Sequence, residues 1–243
     1  MGVKLKDFYD EASQIGGIAA RVALARYTAL ASTRVMEAPD SPELIETFEK
    51  ALRKIRVEYA TDSATSVPVN IPISSTPGDV KHMRQVLGVL EREKPQYISN
   101  LKTTISRVTE AVANELKIAR VSVWFLNHDQ TLIECLDLFE LKQVRHSSGL
   151  QLFERDYPAY FSALKYARAI DADDANADPR TSCFSKPYLQ PLGIVSMLDI
   201  PIWHKGVLKG VLCHEHIGDK RRWTSEEADF GVELAGLISQ AIG

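Results

Sequence analysis

Residues 188–223 read YLQPLGIVSMLDIPIWHKGVLKGVLCHEHIGDKRRW, and this stretch decides the fold. Two apolar runs, Ile194–Trp203 and Val207–Ile217, flank His204-Lys205-Gly206. That short turn ends on a glycine, which accepts positive φ without a Cβ clash, so the pattern is a β-hairpin. Polar residues stand where a strand built only for packing has no use for them. Asp199 interrupts the first run, and Cys213, His214, Glu215 and His216 end the second. Carboxylates are poor strand formers and costly to bury unpaired. One face of the hairpin is therefore expected to floor a pocket that carries polar groups.

Working outward, the period of 2 also marks Val121–Leu126 and Thr131–Phe139 as strands around a turn at Asn127–Gln130. His146–Gly149 reads as a loop. Asp156-Tyr157-Pro158 opens a helix through Ala167, with Asp156 as cap and Pro158 in the first turn. Ala169-Ile170 is a short strand, Asp171–Asp178 carries four aspartates, and Thr181–Leu189 forms a short helix. On the far side of the hairpin, Thr224 and Glu227 stand in capping-box register for a final helix to Ile242.

Upstream the period is 3.6. Asp79–Glu93 is a helix with Met83, Val86, Leu87 and Leu90 on one side, and Pro95 marks a kink or a new start. Ile98, Leu101, Ile105, Val108, Val112 and Leu116 follow an approximate heptad to Arg120. This stripe packs on the sheet or, in part, on a second subunit. Residues 61–78 are rich in Ser, Thr, Pro and Gly and read as a linker. Before it, residues 5–37 and a helix capped by Ser41, with Pro42 first, form a helical hairpin. Residues 1–78 are thus an N-terminal α-helical extension, and 79–243 are the main domain. The class is α+β with a mostly antiparallel sheet.

Composition sets limits. The chain has 243 residues, 45% of them hydrophobic, enough for a real core. A net charge of −3 gives no bulk attraction to nucleic acid or acidic membranes, and no stretch approaches the roughly 18 apolar residues of a membrane span. Cys135, Cys183 and Cys213 are too few and too scattered for a disulfide framework, and with no secretory signal a cytoplasmic location is expected.

The order of elements, with SVWFLN at 122–127, HSSGL at 146–150, DDANADPRT at 173–181, YLQPLGIVSMLDIPI at 188–202, GVLKGVLCHEH at 206–216 and RRWTSEEADF at 221–230, resembles a GAF domain over about residues 95–243. The resemblance implies five or six antiparallel strands with helices on both faces, as in the sensory domains of bacterial signalling proteins. It implies a pocket over the sheet and a small-molecule ligand whose identity stays unknown. Placed on this chain, it turns Cys213 and Glu215 toward the pocket and Leu212, His214 and His216 away. Met197 and Asp199 follow on the preceding strand, and Ser122 and Trp124 on the first. Tyr157, Phe161, Asp174, Phe184 and Tyr188 join from the cover.

Asp199 and Glu215 suit a cationic or amine-bearing ligand; without one, they would pair with Arg168 or Arg180 of the cover. Cys213, His214 and His216 alternate faces and make a poor metal set, so no metal site is expected, and the two histidines read as surface or supporting residues. The GAF branch that reduces methionine sulfoxide needs cysteines where this chain has Gln190 and Gln151. The bilin-binding branch needs one where this chain has Phe184, with Cys183 one residue before and no histidine following. No catalytic residue is expected. The leading expectation is a sensory module, dimeric through its helices, that signals to an output partner. A redox enzyme using Cys213, a bilin photoreceptor and a ligand-free dimerisation scaffold are the alternatives.

Overall fold

The computed structural model describes residues 8, 11, 12, 24, 42–59 and 77–243. The chain divides into two compact units, Met1–Ser66 and Val67–Gly243. In the first, helix α1 spans Pro42–Tyr59. Pro42 opens it, where a missing N–H costs no helical bond. Phe48, Leu52 and Ile55 are buried along one stripe, and the Phe8 ring lies 5.4 Å from that of Phe48. Most of the helix expected over 5–37, the Ser41 cap and nearly all of the expected linker 61–78 lie outside the described residues.

The second unit is built on one antiparallel sheet. Its strands are β1 (Arg120–Leu126), β2 (Leu132–Glu140), β3 (Arg145–Ser147), β4 (Gln151–Phe153), β5 (Ile170–Ala172), β6 (Ile194–His204) and β7 (Val207–Ile217). The order is β3-β2-β1-β7-β6-β5, with β4 also paired to β2. The sequence reading assigned 146–149 to a loop. The structure instead pairs Arg145–Ser147 with Glu140–Leu138, a strand too short to show a period of its own. The β6–β7 hairpin turns on Lys205 and Gly206 at φ 49° and 77°, the two positive values that suit the strand twist. Gly210 permits a close approach to β1: a Cβ there would stand 2.0 Å from the Trp124 carbonyl oxygen.

Helix α2 (Val80–Glu93) begins where Asp79 accepts from the Lys81 and His82 amides. Pro95 falls in a 3-10 turn that separates it from α3 (Leu101–Leu116), which Asn100 caps. Helix α4 is Pro158–Tyr166, and here the reading of Asp156 needs correction: Tyr157 occupies the cap position and Asp156 lies in a preceding 3-10 turn. Between β5 and β6 the chain runs through a 3-10 turn (Ser182–Phe184), a π turn (Ser185–Leu189) and one α turn (Gln190–Leu192). Helix α5 (Ser225–Ala241) carries the expected Thr224–Glu227 capping box.

The main core lies between the sheet and helices α3 and α5. Ile105, Val108, Val112 and Leu116 join Leu234 and Ile238 over Val121, Val123, Leu198, Ile200 and Leu212. The stripe from Ile105 to Leu116 is therefore buried in its own domain, with Leu101 half-buried at its start. The other side of the sheet is roofed by α4 and the 3-10, π and α turns, and there the candidate site lies.

Candidate functional site

Register builds the floor. On β6 and β7, Met197 pairs with Glu215 and Asp199 with Cys213; on β1, Ser122 stands opposite Cys213 and Arg120 opposite Glu215. Side chains alternate across a strand, so all of these share the face away from α3 and α5. His214 takes the other face and its ring donates to the Leu198 carbonyl at 2.6 Å. It is fully buried, as is His216, so neither is a surface histidine.

The roof closes tightly on this floor. Trp124, Ile133, Leu152, Tyr160, Phe184, Tyr188, Met197, Cys213 and Glu215 line a cavity of about 20 Å³, room for roughly one water. Expected residues Trp124, Phe184, Tyr188, Met197, Cys213 and Glu215 thus converge. Asp199 lies beneath Tyr160, whose hydroxyl donates to its Oδ2 at 2.6 Å. Ser122 is buried and accepts from the Trp124 indole at 2.8 Å, a support and not part of the wall. Tyr157 packs on Phe184 with centroids 4.5 Å apart and does not reach the cavity. Phe161 is buried beside Tyr160 but off the cavity wall. Asp174 belongs to another place: it pairs with Lys220 at 2.5 Å on the surface.

The sequence reading missed Tyr160, Ile133, Leu152 and Arg120. Arg120 follows by alternation from Ser122 and Trp124, one residue ahead of the strand start expected at Val121. Glu215 pairs not with Arg168 or Arg180 but with Arg120, with Nε 3.3 Å from Oε2 and both residues buried. Arg168 pairs with Asp229, and Arg180 with Asp171 and Asp178. Tyr188 completes the group: its hydroxyl donates to Glu215 Oε1 at 2.6 Å and its ring covers the guanidinium at 5.7 Å.

Burial governs the protonation chemistry. It pushes the Asp199 carboxyl up to about 7, against the bond from Tyr160. It lifts the Cys213 thiol well above the usual range, with Asp199 adding to the effect, and it raises Cys183 too. A thiol so held is a poor nucleophile. Burial also works against the Arg120 charge, but Glu215, Tyr188 and Glu140 offset it and hold the group protonated. Among the described residues, no three His, Cys, Asp or Glu side chains converge as a metal set.

The aspartate run is spent on ties. The Asp173 carbonyl accepts from Ser196 Oγ at 2.7 Å, and Asp173 Oδ1 accepts from the Trp223 amide at 2.9 Å. Ser196 Oγ in turn accepts from the Arg221 amide at 2.9 Å. The buried Arg221 side chain donates to the Leu116 carbonyl at the end of α3 and to Glu227 in the first turn of α5. Glu227 also accepts from the Gly78 amide ahead of α2. One buried arginine thus joins the roof's approach to three helices.

Comparison with known proteins adds the following. A family model described as "GAF domain" matches residues 100–242. No curated protein matches the chain at a significant level. Among solved structures, the GAF domain of a phosphoenolpyruvate-protein phosphotransferase from Coxiella burnetii is 20% identical, with TM-score 0.55 over 68% of this chain and 94% of that one. The corresponding Acinetobacter domain is 14% identical, with TM-score 0.53 over 66% and 92%. A phycocyanobilin-bound GAF domain from a cyanobacterial phytochrome is 19% identical, with TM-score 0.55 over 66% and 93%. At such identities the likeness is one of fold.

Proposed function

This chain belongs to the GAF domain family, and from that premise we propose that residues 79–243 are a sensory module that binds a small molecule between sheet and roof. Residues 1–78 are its helical extension. One observation carries the reading: Asp199 and Glu215, buried carboxylates on the floor, each accept a hydrogen bond from a tyrosine hydroxyl of the roof. Exchanging a tyrosine for a ligand group keeps each carboxylate bonded while opening the space above it. The roof is made of α4 and short irregular turns, which move at lower cost than the strands below.

In this proposal a bound ligand lifts Tyr188 and Phe184 and shifts the aspartate run. The shift passes through Asp173 and the 220–223 segment to Arg221, and so to α3, α5 and the start of α2. An output partner or domain reads the helices. Among the described residues no helix is long and apolar enough to cross a membrane, and a cytoplasmic module is proposed. Dimerisation through helices, in this proposal, uses the outer side of α2 and α3, where an open groove of about 840 Å³ runs past the exposed Val89.

The test is a thermal-shift screen of the full chain over nucleotides, nitrate, tetrapyrroles and amino acids. A ligand at about 100 times its dissociation constant stabilises by roughly 2.7 kcal/mol. Hydrogen exchange then reports whether protection rises in 182–193 and in α5. A hit that protects neither segment defeats the signalling account, and no hit in any class defeats the binding account.

A further inference from the structure

We propose that the ligand is a zwitterion, a small α-amino acid with an apolar side chain, whose carboxylate binds Arg120 and whose ammonium binds Glu215. The inference rests on the ligand-binding reading above. Nη1 and Nη2 of Arg120 are buried and have no hydrogen-bond partner among the described residues. Its Nε touches Glu215 Oε2 at 3.3 Å, outside hydrogen-bond geometry, so that acceptor too is unmet. Buried polar groups are normally satisfied, and a guanidinium with open N–H groups matches a carboxylate through two parallel bonds. Unmet donors and an unmet acceptor stand side by side under the Tyr188 ring.

Charge balance narrows the class. The buried Arg120, Glu140 and Glu215 are joined by the half-buried Arg145, whose Nη2 lies 2.6 Å from Glu140, so the group is neutral as a set. Asp199, the remaining acid near the cavity, is held largely protonated below neutrality. A ligand with net charge would leave a buried excess, which is costly, and a zwitterion does not. Beside the charged end, Trp124, Ile133, Leu152 and Met197 offer an apolar wall for a side chain. The cavity as it stands is too small, so Tyr188 is the gate: swinging it out uncovers Arg120 and frees Glu215 Oε1 in one movement.

The experiment is calorimetric titration of the full chain with L-leucine, L-methionine and L-phenylalanine. Alongside run 4-methylpentanoate, which lacks the amine, and 3-methylbutylamine, which lacks the carboxylate. At least one amino acid is expected to bind, with its truncated analogues tenfold or more weaker. Glu215→Gln is expected to lose tenfold or more for the amino acid and little for the acid, its fold being checked by circular dichroism. Tyr188→Phe, which unties the gate, is expected to gain about tenfold. Equal binding of leucine and 4-methylpentanoate overturns the zwitterion, as does failure of every amino acid on both wild type and Tyr188→Phe. If a nucleotide, nitrate or tetrapyrrole binds instead, this inference falls and the sensory reading stands; if nothing binds, both fall.

Discussion

The two faces of the β6–β7 hairpin are both buried and both lie beside buried charge, yet they are secured differently. Toward the helices, Leu198, Ile200 and Leu212 interlock with Leu234 and Ile238, and Gly231 brings α5 so close that a Cβ would sit 2.7 Å from Ile200. The charge on that side, Arg221, is bonded to a helix-end carbonyl and a capping carboxylate. Toward the roof, Asp199 and Glu215 each accept from a tyrosine hydroxyl, and Glu215 also faces Arg120. A hydrogen bond to a charged group is worth about 1.5–3 kcal/mol net, within a domain stability of roughly 5–15 kcal/mol. In the proposal above, the helix face stays closed while the roof face opens within the native state.

The largest effect expected from breaking this contrast is on the helix side. Arg221→Met strands Glu227 as a buried, uncompensated charge and should cost about 3–5 kcal/mol in urea unfolding. A loss below about 1 kcal/mol would mean that the Arg221 hub holds nothing.

Asp199→Asn should act in the opposite direction. The folded carboxyl sits at about 7 against an ordinary 3.8. The folded state therefore holds the proton more tightly, and stability from this group is full below about 3.8 and lost as pH rises through about 7. The variant should be more stable than wild type at pH 8, by on the order of 2–4 kcal/mol, with the gap closing by pH 4. Unfolding curves at both pH values check this, and a gap independent of pH would refute the assignment.

A smaller change is expected at the gate. Tyr188→Phe removes one bond to Glu215 and should cost about 1–2 kcal/mol, read as a lowered midpoint and faster exchange in 182–193. The smallest lies at the sheet edge, where His146 bridges Asp137 at 2.9 Å and Glu110 at 3.0 Å. The bond to Asp137 leads in raising its pKa. That contribution is present below the ordinary histidine value and lost as pH rises through the folded one. His146→Gln should cost about 1 kcal/mol or less at pH 6, discounted for partial exposure, and nothing by pH 9.

Much of this was legible in the residues. The hairpin, the capping box at Thr224 and Glu227 and the Pro42 start follow from local rules of period, turn and cap, while the side on which Met197, Asp199, Cys213 and Glu215 lie comes from the family resemblance together with strand alternation. The failures share a cause. Strand β3 is three residues long, too short for a period to show. Asp156 resembles a cap, but the chain spends it in a 3-10 turn. Asp174 sits among aspartates that look like a site, yet a nearby lysine takes it.

The sequence by itself determined the sheet's central strands and which of their side chains share a face, because alternation and capping act over a few residues. Only the tertiary structure decided that Arg120 meets Glu215, since the two are distant in the chain and the register of β1 on β7 brings them together. It alone also decided that Tyr160 and Tyr188 hold the floor's carboxylates and that the space between is nearly filled. Those outcomes depend on how a roof of short turns packs, which no local pattern encodes.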